Sequence, residues 1–183
     1  MRIIGMSGKA RSGKNYLAEQ VLVKQDGYLP LALAGPMKSE LAAEEVIPAE
    51  EAIGQVDKSP RTRKILQLWG TELGRERYYE DYWCVRMEWW ISHFLDAGID
   101  RFVITDIRFP NEVDWVRSMG GVVVRVTGRG GLEGEAAEHI SETALDDLDL
   151  PEVDNSVDGL GKVSEELRAV FEQHYAENPE PEV

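Results

Sequence analysis

The chain has 183 residues, of which 43% are hydrophobic, so it is long enough for a buried core and too apolar for general disorder. It contains no stretch of about twenty apolar residues, and its first residues run directly into a predicted strand, so we expect neither a membrane span nor a signal peptide. Cys84 is the only cysteine, which excludes an internal disulfide and fits a reducing cytoplasm.

The net charge of −14 is concentrated in the last quarter of the chain. Residues 133–183 contain sixteen of the 34 acidic residues but only two of the 20 basic ones, Lys162 and Arg168. The preceding part is neutral. An acidic surface argues against nucleic acid as a partner, and we interpret most of these acids as solvated helix faces. Residues 176–183 are predicted to form a frayed tail.

Apolar patterning alternates strands with helices, which predicts an α/β fold with a parallel sheet and right-handed crossovers. The predicted strands are 2–6, 28–34, 101–105, 121–127 and, with a weaker pattern, 153–157. The predicted helices are 14–24, 36–46, 60–72, 81–97, 111–119, 141–148 and 160–175, and a polar connection covers 47–59. No internal repeat or linker divides the chain, so we expect one domain over residues 1–183.

The first predicted strand leads into the segment Gly8-Lys9-Ala10-Arg11-Ser12-Gly13-Lys14. This is the G-x-x-x-x-G-K spacing of a phosphate-binding loop, in the required order of strand, loop and helix. The two glycines let backbone N–H groups converge on an anion, and the lysine can reach the outer phosphates. Asn15 replaces the usual hydroxyl residue, which predicts a weaker or differently built Mg²⁺ site. The alternative is a glycine-rich turn that only caps a helix.

A second motif follows the strand at 101–105. Its apolar core ends at Asp106, as expected of a carboxylate that binds Mg²⁺ through water or positions an attacking group. The alternative is an acid that only begins a turn. In a parallel sheet this end lies at the same edge as Lys14. Arg108 is predicted to contact a phosphate, with a salt bridge to Asp106 as the alternative. Asn111 and Glu112 are interpreted as caps of the next helix.

The central segment, about 47–99, is predicted to bind the acceptor. Basic and aromatic side chains alternate in it, which suits the phosphate and base of a mononucleotide. Arg75, at a glycine-marked helix end, is the best candidate for the acceptor phosphate. One apolar stripe favours a core role instead: Trp83, Met87, Trp90, Ile91 and Phe94. The candidate substrate-binding residues are Lys38, Trp69, Glu72, Arg75, Trp83 and Arg108.

The glycine-rich stretch at 127–140 is predicted to be a short lid. Arg125 and Arg129 flank its first glycines and could bring a cation to the transferred phosphate, which would make both catalytic. For Arg125 a surface charge at the end of a strand is an equal alternative. His139 and Glu142 are interpreted mainly as caps of the following helix.

Five blocks of the sequence together resemble the phage-type deoxynucleoside monophosphate kinases, in that family's order. They are Gly8–Lys14, Ala34–Lys38, Leu68–Arg75, Ile104–Glu112 and His139–Glu142. The resemblance implies a three-layer P-loop kinase fold with a parallel sheet in the order 2-3-1-4-5. It also implies transfer of the ATP γ-phosphate to a deoxynucleoside 5′-monophosphate with Mg²⁺, in the host cytoplasm if the chain is phage-encoded.

The expected chemistry assigns a role to each part of the site. The backbone from Gly8 to Asn15 would hold ATP, with Lys14 bridging its β- and γ-phosphates. Asp106 would organise Mg²⁺, with Asn15 as a weaker ligand. Relatives often carry Asp at the position of Asn15, so a polar group is kept here but a charge is lost. A related pattern places an acid at the position of Gly35, so acceptor choice could differ here. The partners are small nucleotides, and the oligomeric state stays open, with a homodimer as one option.

Two other functions remain open from the sequence. A kinase of another phosphorylated acceptor, similar to dephospho-coenzyme A, would share the loop and the sheet. A non-catalytic nucleotide switch is the second alternative, because Asn15 departs from the usual metal-binding hydroxyl.

Overall fold

The structure is a computed structural model that describes residues 1–128, 130–131, 140–156 and 159–179. Its strands are β1 (Arg2–Ser7), β2 (Leu29–Leu31), β3 (Arg101–Ile104), β4 (Val122–Thr127) and β5 (Glu152–Asp154). Its helices are α1 (Lys14–Leu17), α2 (Gly35–Ala43), α3 (Ala49–Ala52), α4 (Pro60–Gln67), α5 (Tyr82–Asp96), α6 (Pro110–Ser118), α7 (Ile140–Thr143) and α8 (Leu160–Glu177). Two stretches continue α1 and α4 with π-type geometry, Ala18–Val23 and Leu68–Tyr78.

The five strands form one parallel sheet in the order β2-β3-β1-β4-β5, which confirms the predicted topology. β1 is central, with Ile4 opposite Val103 on one side and Val122 on the other. The middle of β3 is apolar and buried on both faces, as expected where helices cover a parallel sheet.

Helices pack on both faces of this sheet. Ile4 and Met6 face a cluster that contains residues of α1 and α8, including Leu17 and Leu167. Gly5 points to the opposite face, because neighbouring residues of a strand alternate. A Cβ atom there would lie 2.8 Å from Val123 Cγ2 and 3.4 Å from Val116 of α6. The glycine therefore allows α6 to approach β1 closely.

The chain divides into two compact units. The first contains residues 1–31 and 97–183, and therefore the whole sheet, while the second contains residues 32–96. In the second unit, Trp83, Met87 and Ile91 of α5 are buried, which confirms the core interpretation for these residues, and Cys84 is buried beside them. Trp90 was expected in the same core but is 41% exposed, so the apolar pattern of α5 is wider than its packed face.

Several helix boundaries differ from those predicted. The connection at 47–59 contains α3, which begins after the extended Pro48. The helix predicted to end at 72 changes to π geometry at Leu68. The helix expected at 141–148 is shorter and ends at Thr143. Arg125 accounts for this difference, because its guanidinium donates to the main-chain oxygens of Leu145 and Leu148 and holds that segment in turns.

Candidate active site

The segment Gly8–Lys14 forms a tight loop between β1 and α1, as its sequence predicts. Three residues adopt positive φ angles, namely Gly8 at 136°, Arg11 at 63° and Gly13 at 89°. The N–H of Ser12 donates to the Lys9 oxygen at 3.2 Å and closes the turn. The Leu17 N–H then donates to the Gly13 oxygen at 2.9 Å and begins the helix. This backbone curvature is what an anion-binding loop requires.

Lys14 lies inside the loop. Its side chain turns back so that Nζ donates to the main-chain oxygens of Gly8 and Lys9, each at 3.2 Å, and the residue is only 8% exposed. Burial lowers the pKa of this ammonium group, and the charge of Arg108 lowers it further, while Glu142 and Asp106 oppose the shift. The loop therefore holds one desolvated cation at its centre, with two carboxylates and a guanidinium near enough to affect it.

The segment after β3 is fixed by the first turn of α6. The Glu112 side chain is buried and accepts hydrogen bonds from the N–H groups of Arg108 at 2.7 Å and Phe109 at 3.1 Å. The Ile107 N–H donates to the Met6 oxygen at 3.2 Å and ties the segment to β1. The cap predicted at Glu112 is confirmed. It leaves the side chains of Asp106 and Arg108 at the sheet edge beside the loop.

Glu142 connects α7 to the phosphate loop. One oxygen of its carboxylate accepts a hydrogen bond from the Ala10 N–H at 2.8 Å, and the other accepts from the Arg108 guanidinium. Burial alone would raise the pKa of this carboxyl, but the bonds from Ala10 and Arg108 outweigh it, and the net direction is downward. Lys9 holds the same segment through the Glu142 oxygen and the Asp146 carboxylate. From its sequence position, Glu142 was interpreted mainly as a helix cap, with ligand contact as a lesser alternative.

A cavity of about 150 Å³ lies at this edge of the sheet. Its polar lining includes Ser7, Lys9, Arg108, Arg125, Glu142 and Asp146. In the described parts of the chain, no cluster of three or more His, Cys, Asp or Glu side chains could hold a metal by itself.

Asn155 holds the phosphate loop through a hydrogen bond and was not among the residues predicted from the sequence. It follows β5 and is buried, and its Nδ2 donates to the Ser12 oxygen at 2.9 Å. Its own N–H donates to the Thr127 oxygen at 3.0 Å, which ties it to β4. A Cβ atom on Gly13 would lie 2.2 Å from Asn155 Nδ2. The last strand was predicted at 153–157, with Asn155 in its middle, whereas β5 ends at Asp154. The predicted strand therefore hid the position of Asn155 at the edge that the ends of parallel strands share.

Of the two arginines predicted at the lid, the structure describes only Arg125. Arg125 pairs with Glu152 at 2.7 Å and donates to two main-chain oxygens, so its guanidinium already has structural partners. Arg129 lies outside the described residues, as does His139. Between them, Gly131 donates its N–H to the Ala10 oxygen at 2.7 Å, which places this part of the glycine-rich stretch against the phosphate loop.

The other predicted acceptor residues lie in the second unit. Arg75 is 9% exposed at its side chain and pairs with Glu80 at 3.6 Å. Trp69 is 44% exposed, and Glu72 is also exposed. Trp83 is buried, and its Nε1 donates to the Gly70 oxygen at 2.8 Å. The ring of Trp83 therefore serves the core of this unit, and we do not assign it to a ligand.

A basic cluster in the second unit adds a residue that the sequence analysis did not single out. Burial lowers the pKa of the Lys58 ammonium, and the positive charges of Lys38 and Arg63 lower it further. Lys38 was a predicted acceptor residue. The charges of Glu51 and Asp57 oppose this shift, so Lys58 lies among charges of both signs and is a further basic side chain near Lys38.

Comparison with known proteins decides between the families that share a phosphate loop. Residues 45–158 match the family model described as "Deoxynucleotide monophosphate kinase". The chain belongs to this family. The match begins after the phosphate loop, so the family assignment does not depend on Gly8–Lys14.

The deoxynucleotide kinases of phages align with only part of this chain. It is 33% identical to the deoxynucleoside-5′-monophosphate kinase of Escherichia phage T5 over 111 residues, which are 57% of this chain and 43% of that protein. The chain spans about half the length of the phage relatives it matches. It is also 26% identical to the phosphomevalonate kinase of Drosophila melanogaster over 171 residues, covering 89% of this chain and 87% of that one.

A solved structure supports the fold. A sugar kinase from Janibacter sp. HTCC2649 superposes with a TM-score of 0.52 at 14% identity, over 92% of this chain and 93% of the other. At this identity the likeness concerns the fold alone. Among the helices that the structure describes, none combines the length and the apolar composition needed to cross a membrane.

Proposed function

We propose that the protein transfers the γ-phosphate of ATP to a deoxynucleoside 5′-monophosphate and releases the diphosphate. The observation that carries this proposal is the buried Lys14 ammonium inside a loop of the correct curvature, in a chain of the deoxynucleotide monophosphate kinase family. Phosphoryl transfer depends mainly on alignment and charge neutralisation, which such a loop supplies without a covalent intermediate.

Residues of the first unit would bind the phosphate donor, ATP. Backbone N–H groups of residues 8–15 would hold the β-phosphate, and Lys14 would move from its main-chain partners to bridge the β- and γ-phosphates. Ser12 supports this assignment, because its buried hydroxyl has no hydrogen-bond partner within the described part of the chain. A bound ligand or water would satisfy it.

The two candidate ligands from this chain suit Mg²⁺ by their chemistry. The Asp106 carboxylate and the Asn15 side-chain oxygen are hard ligands of the type that Mg²⁺ prefers, and phosphate oxygens would complete the set. The ion would neutralise phosphate charge. Asp106 also raises the pKa of Lys14, so the carboxylate and the ammonium act on one another within the same site.

The acceptor is assigned to basic residues. Arg108 stands beside the phosphate loop in the first unit. Within the second unit, Arg75, Lys38 and Lys58 are the basic candidates for the acceptor phosphate. The acceptor's own phosphate oxygen attacks, so no strong general base is required. Trp69 and Glu72 are exposed and stay candidates for contact with the base or sugar.

An ADP-release assay with ATP and Mg²⁺ tests the proposal. The acceptors are the common deoxynucleoside monophosphates and their ribose counterparts, each in a separate reaction. We expect turnover on at least one deoxynucleotide, and loss of at least about a thousandfold in Lys14→Ala. Lys24→Ala is the matched control, because Lys24 is exposed and pairs with Glu19. Absence of turnover on every nucleotide would reject this substrate class.

A second candidate is a kinase that acts on another small phosphorylated acceptor. The similarity to the Drosophila phosphomevalonate kinase favours it, because that alignment extends over nearly the whole of both chains. The same assay decides between the two if phosphomevalonate is added to the set of acceptors. Turnover on phosphomevalonate alone would assign the chain to this second class.

A further inference from the structure

Glu142 occupies the part of the phosphate loop that would otherwise be open to an anion. Its carboxylate joins two donors from distant parts of the chain, the Ala10 N–H and the Arg108 guanidinium. Only 6% of its side-chain surface is exposed. A phosphate group presents the same kind of charged, closely spaced oxygens, and backbone N–H groups and arginine are its usual ligands.

From this geometry we infer that Glu142 is an internal competitor for the phosphate of the substrate. Its carboxylate holds the Ala10 N–H and Arg108 until a phosphate group displaces it. This inference rests on the proposed function, because it concerns the same loop. It adds a residue that must leave its present partners for the reaction to proceed.

Charge explains why a phosphate would prevail. Lys14 and Arg108 affect one another electrostatically, and Glu142 is one of the two carboxylates that offset them. A triphosphate carries several negative charges and can bind both cations and the loop N–H groups at once, whereas the carboxylate satisfies one N–H and one guanidinium. A phosphate must displace the carboxylate from the Ala10 N–H and Arg108, and the cost of this displacement lowers the apparent affinity for phosphate.

The attachment of Glu142 to the loop has two parts with different consequences. Lys9 binds the Glu142 main-chain oxygen and the Asp146 carboxylate, and both Lys9 and Asp146 are about half exposed. That contact can persist when a phosphate binds, because it uses no loop N–H. The carboxylate contact with Ala10 cannot persist if a phosphate oxygen takes the same N–H. The two neighbouring contacts therefore provide a test and its control.

Calorimetric titration with inorganic tripolyphosphate, and separately with ATP and Mg²⁺, tests the inference. Glu142→Gln keeps the shape but removes the charge, and we expect it to bind tripolyphosphate about tenfold more tightly than the wild type. Asp146→Asn removes the same charge from the same segment and should change the affinity by at most about threefold. Equal or weaker binding by Glu142→Gln would overturn the inference and would show that Glu142 positions the loop for its ligand.

Two further measurements keep the test decisive. Thermal unfolding shows whether each variant folds. If Glu142→Gln does not fold, the amide NMR signal of Ala10 in the wild type is used instead. That signal should shift strongly when tripolyphosphate saturates the protein, and an unchanged signal would overturn the inference. If neither the wild type nor Glu142→Gln binds tripolyphosphate or ATP, the proposed function fails as well. If both proteins bind but Glu142→Gln does not bind more tightly than the wild type, only the competitor role of Glu142 is rejected.

Discussion

The side-chain amide of Asn155 donates a hydrogen bond to the main-chain oxygen of Ser12 at 2.9 Å. The two residues are 143 positions apart, and the bond fixes the phosphate loop to the end of β5. Both residues are buried, so neither group can exchange this partner freely for water. The shape of the loop therefore depends on the last strand as well as on its own glycines.

Replacement of Asn155 by Ala should loosen the loop. The Ser12 oxygen would be left buried without this donor, so we expect a loss of about 1–3 kcal/mol in the free energy of unfolding and a rise of about tenfold in the KM for ATP. Denaturant unfolding and steady-state kinetics measure the two effects. Asn178→Ala is the control, because Asn178 also donates to a main-chain oxygen but at the exposed end of α8. Equal effects of the two substitutions would contradict the role of Asn155.

Gly13→Ala tests the same contact from the opposite side. The new Cβ atom would lie 2.2 Å from Asn155 Nδ2, and φ at this position is +89°. Gly27→Ala is matched to it, because Gly27 has φ of +72° with no atom near its Cβ position. Backbone strain of about 1 kcal/mol is expected at both positions, and the clash adds to it only at Gly13. Nucleotide affinity should fall in Gly13→Ala alone, and unchanged affinity in that variant would argue against a close contact with Asn155.

Features of the site that are formed by residues close together in the sequence could be predicted. Features that join distant residues could not. The phosphate loop was predictable because a strand, two glycines and a lysine lie within fourteen residues. The cap at Glu112 was predictable for the same reason. The bond from Ala10 to Glu142 spans 132 positions, and that from Asn155 to Ser12 spans 143, so no local pattern contains them. Asn155 was also missed because the last strand was predicted to run to 157, and only its end at Asp154 brings Asn155 to the edge where strand ends meet.

The fold was predicted better than the packing of individual aromatic side chains. Alternation of strands and helices was sufficient for a parallel sheet, and the resemblance to a kinase family supplied its order. Helical spacing placed Trp83 and Trp90 in one core, yet only Trp83 is buried. Spacing identifies the apolar side of a helix, but the width of the covered face is set by the neighbours that pack on it.

Stability should depend on pH through Glu142. Its carboxyl has a pKa below the ordinary value of 4.5 in the folded protein. The ionised form therefore stabilises the fold above about pH 4.5, and this contribution is lost as the pH falls through the folded-state pKa. We expect wild type to exceed Glu142→Gln by about 1 kcal/mol near neutral pH, with the difference shrinking in acid. Unfolding experiments across this range measure it, with the exposed Glu165→Gln as control. A difference that does not change with pH would contradict the assignment.

Arg75→Ala should affect the acceptor more than the donor. The side chain is largely buried beside Glu80 in the second unit, and an arginine there is our candidate for the acceptor phosphate. We expect the acceptor KM to rise by at least about tenfold while the KM for ATP changes by less than about twofold. Arg77→Ala, at a nearby exposed position, should leave both values close to those of the wild type. Equal increases in the two KM values after Arg75→Ala would remove it from the acceptor site.

The central claim is that the loop around Lys14 binds the phosphates of ATP. Calorimetric titration of the wild type, Lys14→Ala and Lys24→Ala with ATP and Mg²⁺ tests this claim most directly. We predict saturable binding by the wild type and Lys24→Ala, and an affinity at least about tenfold weaker in Lys14→Ala with its fold retained. Equal affinity in all three proteins, or no binding by the wild type at millimolar ATP, would contradict the assignment of this loop.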